Sequence, residues 1–209
     1  MRGKLRAFWL ALAVILAVVA VLLCVAATLM GSLYIRPSGD PQETVIRFFD
    51  AIKRGDTAEA YACLSDYESL GLENVPATKD GQLLYQALKA SYDYSLSGDC
   101  RVEGLNAVQR VKFTYLNVGQ AASDAAAKVG DVLAVLIEER PWEELADADG
   151  NILDSVNEEA FLTALHQVLE DPMHYTRSTE LELHLVYNGS EWRIVTSPEL
   201  ITALIGGLA

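Results

Sequence analysis

Residues 180–195 read Glu180-Leu181-Glu182-Leu183-His184-Leu185-Val186-Tyr187-Asn188-Gly189-Ser190-Glu191-Trp192-Arg193-Ile194-Val195. Leu181, Leu183, Leu185 and Tyr187 alternate with Glu180, Glu182, His184 and Val186. Successive side chains of a strand point to opposite faces, so the run predicts a strand with one apolar and one largely polar face. Asn188-Gly189 is a strong signal for a two-residue hairpin turn, because both residues tolerate positive φ. Trp192 and Ile194 then continue the inward face on a return strand. Upstream, Val111, Phe113 and Tyr115 alternate with Arg110, Lys112 and Thr114, which predicts a second half-buried antiparallel strand. Tyr92, Tyr94 and Leu96 alternate in the same way, and Gly104-Leu105-Asn106 reads as a turn.

Helical periodicity surrounds these strands. Asp40-Pro41-Gln42-Glu43 is a helix start, with Asp40 as cap and Pro41 in the first helical position. Val45, Phe48, Phe49 and Ile52 then form one apolar stripe. Lys53 and Arg54 suit a last turn, and Gly55 stops it. A second helix begins at once at Asp56-Thr57-Ala58-Glu59, with Ala60, Tyr61 and Leu64 inside. Residues 71–76 are irregular, and 80–90 read as a third helix through Leu83, Leu84, Ala87 and Leu88. Residues 121–139 are helical and rich in alanine, with Val129, Leu133, Leu136 and Ile137, until Pro141 ends or kinks them. Residues 147–150 form a polar turn. Ser155-Val156-Asn157-Glu158 leads into a helix over 159–169, ended by Asp171-Pro172, and a short helix over 198–204 closes the chain. Helices first, then antiparallel hairpins with one apolar face, predict an α+β domain whose helices pack on a curved sheet.

The N-terminus is of another kind. Arg2, Lys4 and Arg6 form a basic tip over residues 1–7, and residues 8–30 carry no charged side chain. A helix needs roughly 20 apolar residues to cross a membrane, so this stretch predicts one transmembrane helix. Three bases before the span against Arg36 after it predict a cytoplasmic N-terminus and an extracytoplasmic remainder. The competing reading is a cleaved signal peptide, with Ala26 and Ala27 as small residues at a cleavage site. Signal cores run to about 7–15 residues, and this one is longer. Leu22 and Leu23 precede Cys24, so there is no lipoprotein signal, although palmitoylation stays open. Cys24 reads as an apolar filler of the span. Residues 31–40 are a linker holding Pro37, Ser38 and Gly39.

The chain has 209 residues and a net charge of −13. Four of its 16 Lys and Arg, and none of its 29 Asp and Glu, lie in residues 1–36, which leaves the remainder at −17. Such a domain is repelled by nucleic acid and by anionic membrane surfaces. Residues 41–209 suffice for one domain with its own core. Cys63 and Cys100 could be bridged outside the cytoplasm, or be two buried thiols.

Three stretches carry a resemblance: Thr44-Val45-Ile46-Arg47-Phe48-Phe49-Asp50-Ala51-Ile52-Lys53-Arg54-Gly55-Asp56, Tyr67-Glu68-Ser69-Leu70-Gly71-Leu72-Glu73 and Glu191-Trp192-Arg193-Ile194-Val195. They resemble the nuclear-transport-factor-2-like (cystatin-like) superfamily, and more narrowly its membrane-anchored and lipoprotein members in Gram-positive gut bacteria. The first stretch is similar to that superfamily's opening helix and the last to its closing strand. The resemblance implies a cone-like domain over residues 41–209, with a pocket between a concave sheet and the first helices. The sequence departs from the superfamily pattern at about residues 119–172, where it predicts a helical insertion. Members include isomerases, dehydratases, transport factors and plain binding domains, so the fold alone transfers no activity.

In the pocket that the resemblance implies, Tyr92, Tyr94, Tyr115 and Tyr187 would be lining residues, with Asp66 or Asp50 near the mouth. An isomerase there needs a carboxylate base and a phenolic oxyanion donor in an apolar cavity. The alternative is that these tyrosines are core rings whose hydroxyls reach the surface. His166 and Glu170 share a helix face, and with His174 they would make a metal set, or else a solvated helix end. Asp147, Asp149, Asn151, Ser155 and Glu158 fall at calcium-loop positions, but Ile152 stands where that loop needs glycine. His184 reads as exposed. Asn188-Gly189-Ser190 matches a glycosylation acceptor, although the hairpin turn explains it as well. No nucleophile triad, phosphate loop or paired-cysteine motif occurs, and no cofactor is expected. The sequence as a whole reads as a membrane-anchored, extracytoplasmic, non-catalytic binding or assembly domain of the cell envelope. The alternative is a small-molecule pocket protein, or an isomerase- or dehydratase-like enzyme.

Overall fold

The computed structural model describes residues 19–25, 37–66 and 75–208. Residues 19–25 are helical with exposed side chains, and belong to a unit of their own, residues 1–38. The expected basic tip and most of the expected span and linker lie outside the described residues, as does the stretch 67–73 used for the resemblance. No helix among the described residues is long and apolar enough to cross a membrane.

The second unit, residues 39–209, opens with α1, Pro41–Arg54. Asp40 accepts the Gln42 N–H at 2.9 Å, Pro41 takes the first turn, and Gly55 ends the helix in the left-handed region at φ 74°. Val45, Phe48, Phe49 and Ile52 are its buried stripe. Asp56 caps α2, Thr57–Ala62, by accepting the Glu59 N–H. Thr78 caps α3, Lys79–Ser91.

Strand β1, Asp93–Glu103, turns through Gly104 and Leu105 into β2, Asn106–Leu116. β1 extends well past Leu96, and an irregularity between Ser97 and Arg101 interrupts its register with β2. β3, Thr176–Tyr187, pairs with β2, and β4, Trp192–Ile194, pairs with β3. These three strand pairings are antiparallel, in the order β1-β2-β3-β4, and Leu64 adds an isolated parallel bridge to Ile194. The α+β class expected from the alternation is therefore present. The hairpin turn differs by one residue: Tyr187 pairs with Trp192, which centres the turn on Gly189-Ser190 and not on Asn188-Gly189. Asn188 makes this possible, since its Oδ1 accepts the N–H groups of both Ser190 and Glu191 at 3.0 Å. Moving the centre by one residue moves the pairing by two, so Trp192 and Ile194 keep the inward face.

Between β2 and β3 stand α4, Val118–Glu139, α5, Trp142–Leu145, α6, Asp154–Leu169, and a 3-10 turn, Pro172–Tyr175. α4 starts three residues earlier than expected because Asn117 caps it, accepting the Gln120 N–H. α6 also starts earlier, at Asp154, so Ser155 and Asn157 lie inside the helix. The chain ends with α7, Pro198–Leu204, capped by Ser197.

Two apolar clusters result. The first joins the sheet's inner face to α1 and α7, through Phe48, Phe49, Phe113, Leu183, Ile194 and Leu204. The second lies in the insertion, where Ala121, Ala125, Val132 and Leu136 of α4 meet Ala160, Ala164, Leu165 and Val168 of α6. The alanines let the two backbones approach closely. Each fully buried large apolar side chain contributes about 1.5–3 kcal/mol. Leu84, Leu169 and Tyr175 pack against both clusters and couple them.

Candidate functional site

The first candidate site is the inner face of the sheet. Phe49 of α1 stacks on Tyr94 with ring centroids 5.0 Å apart and packs on Phe113 at 5.1 Å. Phe113 in turn packs on Tyr92 at 5.4 Å and stacks on Tyr115 at 5.9 Å. Tyr92, Tyr94 and Tyr115 therefore form one aromatic row, but the space beside them is occupied by Phe48, Phe49 and Phe113, all fully buried. Tyr187 stands elsewhere, edge-on to Trp192 at 5.5 Å. Asp66 is exposed and accepts the Ser65 hydroxyl at 3.2 Å. The structure thus gathers Tyr92, Tyr94 and Tyr115, with Asp50 at the Tyr94 hydroxyl, and leaves Tyr187 and Asp66 apart.

Two phenols in the row have internal partners. Tyr92 O–H donates to the Leu204 carbonyl, and burial pushes its pKa far above the ordinary phenol value. Tyr94 O–H donates to Asp50 Oδ1 at 2.7 Å. Desolvation, and then the Asp50 carboxylate, push Tyr94 up to about 12. A proton-transfer group works best with a pKa near the working pH, and both phenols are driven away from neutrality.

The other sequence-derived sets are not assembled. No group of three His, Cys, Asp or Glu suited to a metal ion occurs among the described residues. His166 and Glu170 do share the end of α6, while His174 lies edge-on to Tyr175. In the loop considered for calcium, Asp147 Oδ1 accepts the N–H groups of Asp149 and Asn151, each at 2.9 Å. The Asn151 backbone and side chain, first among these donors, hold the Asp147 carboxyl below its ordinary range. The loop is thereby closed by its own side chains. His184 is exposed on the outer face, as expected. Asn188 spends its side-chain oxygen inside the turn.

Of the two alternatives for Cys63 and Cys100, the structure has the unbridged one: both are free thiols. The chain after α2 runs beside β4, where Leu64 bridges Ile194, whereas Cys100 lies on β1 at the opposite edge of the sheet. Opposite edges of four strands are about 14 Å apart at the usual strand spacing, while a bridge needs Cα atoms within about 7 Å. Cys63 is fully buried, and Arg47 Nε donates to its Sγ at 3.2 Å. Burial raises the thiol's pKa, and Arg47 opposes the rise. Arg47 and Arg193 both reach Glu191, at 3.4 and 2.5 Å.

Two features escaped the sequence reading. Gln109 is fully buried on the inward face of β2. It accepts from Gln42 Nε2 at 2.9 Å and donates to the Gly98 carbonyl at 3.3 Å, which ties the irregularity of β1 to the start of α1. Its sign was visible, as a polar residue between Ala107 and Val111 on an otherwise apolar face. The second is a groove of about 840 Å³ between α3 and the end of α6. Its floor is Leu83, Ala87, Leu169 and Pro172, with Lys53, Asp93, His166 and Glu170 around it. These residues come from five elements, and no local pattern links them. Compared with known protein families, curated proteins and solved structures, the chain matches none.

Proposed function

We propose that the chain is a single-pass membrane protein whose acidic domain lies outside the cytoplasm and binds a protein or other envelope ligand without chemistry of its own. The observation that carries this reading is the uncharged stretch 8–30 behind Arg2, Lys4 and Arg6. It suits a permanent anchor better than a signal core, by length. The resemblance to the nuclear-transport-factor-2-like superfamily adds a cone-like binding domain to that anchor. The occupied inner face and the engaged phenols of Tyr92 and Tyr94 support binding over catalysis. From 31 to 40 the linker has ten residues, which reach about 35 Å at full extension, so the ligand is met close to the outer leaflet.

Topology and partner are tested together on the intact anchored protein in its native membrane. External protease should remove residues 41–209 from intact cells, and crosslinked capture should recover a protein that an anchor-only chain, residues 1–40, does not. A protected domain, or a chain lacking residues 1–27 in the mature protein, would remove the anchor from this reading. Recovery of a tightly held small molecule and no specific protein would favour the second reading, a small-molecule carrier, for which the groove beside α3 is the supporting observation.

A further inference from the structure

We infer that the groove between α3 and the end of α6 is a ligand site for a small amphiphilic cation, an apolar body ending in one ammonium group. The inference deepens the small-molecule-carrier reading, on which it rests, by giving a ligand class, and it does not depend on the anchor. Volume is the first argument. About 840 Å³ falls within the range of about 300–1,000 Å³ typical of small-molecule sites, whereas the inner face of the sheet, where the superfamily's own pocket would lie, is filled.

The lining gives the apolar half of the ligand. Leu83 and Ala87 lie one turn apart on α3 and face Leu169 and Pro172 across the groove. Met173 stands at the lip with 75% of its surface exposed, an unbranched and polarizable side chain able to close over a bound ring. Lining atoms are mainly carbon, so water in the groove is displaced at a gain.

Charge gives the other half. Lys53 and Asp93 are paired at 2.9 Å and cancel. The Glu170 carboxylate has no cationic partner among the described residues, and neither its side chain nor that of His166 makes a hydrogen bond there. The uncompensated charge on the groove is thus the Glu170 carboxylate, within a domain that is acidic throughout. An ammonium at that end completes an ion pair, while a carboxylate there meets a like charge.

The test uses the full chain in nanodiscs of zwitterionic lipid. Methionine methyl groups are isotopically labelled; the chain has three methionines, of which Met173 alone lies in residues 41–209. Phenylbutylamine is titrated, with phenylbutanol and phenylbutyrate as isosteres. Expected is a saturable shift of the Met173 methyl signal, strongest for the amine and weakest for the acid. Glu170→Gln should weaken the amine about threefold, the size of one exposed ion pair, and leave the alcohol unchanged. Ala87→Trp, which fills the floor, should abolish all three. Equal binding of amine and acid, a Glu170→Gln protein that binds the amine as tightly as the parent, or no saturable shift at Met173 would overturn the inference. Recovery of a tightly held small molecule of another class from the native membrane would survive each of those results, so the failure of this site and the failure of the small-molecule-carrier reading are distinguishable.

Discussion

Tyr94 and Asp50 illustrate what single residues do in this molecule. The phenol stacks on Phe49 and donates to a half-buried carboxylate, so its deprotonated form would sit beside a negative charge. Its folded-state pKa, about 12, is above the ordinary value of 10. A raised value means the bond's contribution is intact below pH 10 and is lost as the pH climbs through about 12. Tyr94→Phe should therefore cost about 1 kcal/mol near neutrality, the net worth of one hydrogen bond. Urea midpoints of the two proteins should converge between pH 10 and 12, and an absorbance titration should lose one late-ionising tyrosine. A cost that persists unchanged at high pH would show that packing, and not the bond, is responsible.

At the scale of elements, the closing hairpin is set by one side chain. A strand pair joined through Gly189-Ser190 leaves the N–H groups of Ser190 and Glu191 to be satisfied, and Asn188 Oδ1 accepts both. Asn188→Ala should cost about 1 kcal/mol, the usual price of losing a side-chain cap on backbone donors. Amide exchange should quicken at Ser190 and Glu191 while Leu183 and Leu185, deep in the sheet, stay protected. Loss of protection through the whole of β3 would instead make the turn essential to the sheet. The pairing of α4 with α6 has a different basis. Both helices bury small residues, Ala121 and Ala125 on α4 and Ala160 and Ala164 on α6; they run antiparallel, with Asn117 N–H donating to the Tyr175 carbonyl at one end and Arg140 reaching both carboxylate oxygens of Glu159 at the other.

At the largest scale, the two apolar clusters have few residues in common among the described ones. Leu84, Leu169 and Tyr175 touch both, and the groove opens beside Leu169 where the insertion meets α3. Weak coupling of this kind predicts sub-global opening of the insertion before the sheet. Leu145 is fully buried in the second cluster and lies on a helix of four residues. Leu145→Ala should cost about 2–5 kcal/mol. Hydrogen exchange should then show α4 and α6 losing protection while β2 and β3 keep theirs. A uniform loss would mean that the clusters form a single cooperative unit.

By itself, the sequence determined the local elements. The cap at Asp40, the helix start at Asp56, the stop at Gly55 and the alternation from Leu181 to Tyr187 act within a few residues of chain, so they are legible without tertiary contacts. From them the α+β class follows. The longer reach of β1 was not legible, because its second half is exposed and polar and gives no alternation. Nor was the centre of the last hairpin, since Asn-Gly favours one turn locally while Asn188's side chain stabilises its neighbour. Tertiary structure alone decided that Tyr92, Tyr94 and Tyr115 form a row while Tyr187 does not, that Cys63 and Cys100 lie at opposite edges, and that residues between Lys53 and Thr176 frame one groove. The physical reason is range: capping and alternation are short-range effects, whereas a groove depends on which distant faces are left uncovered after the apolar stripes have packed.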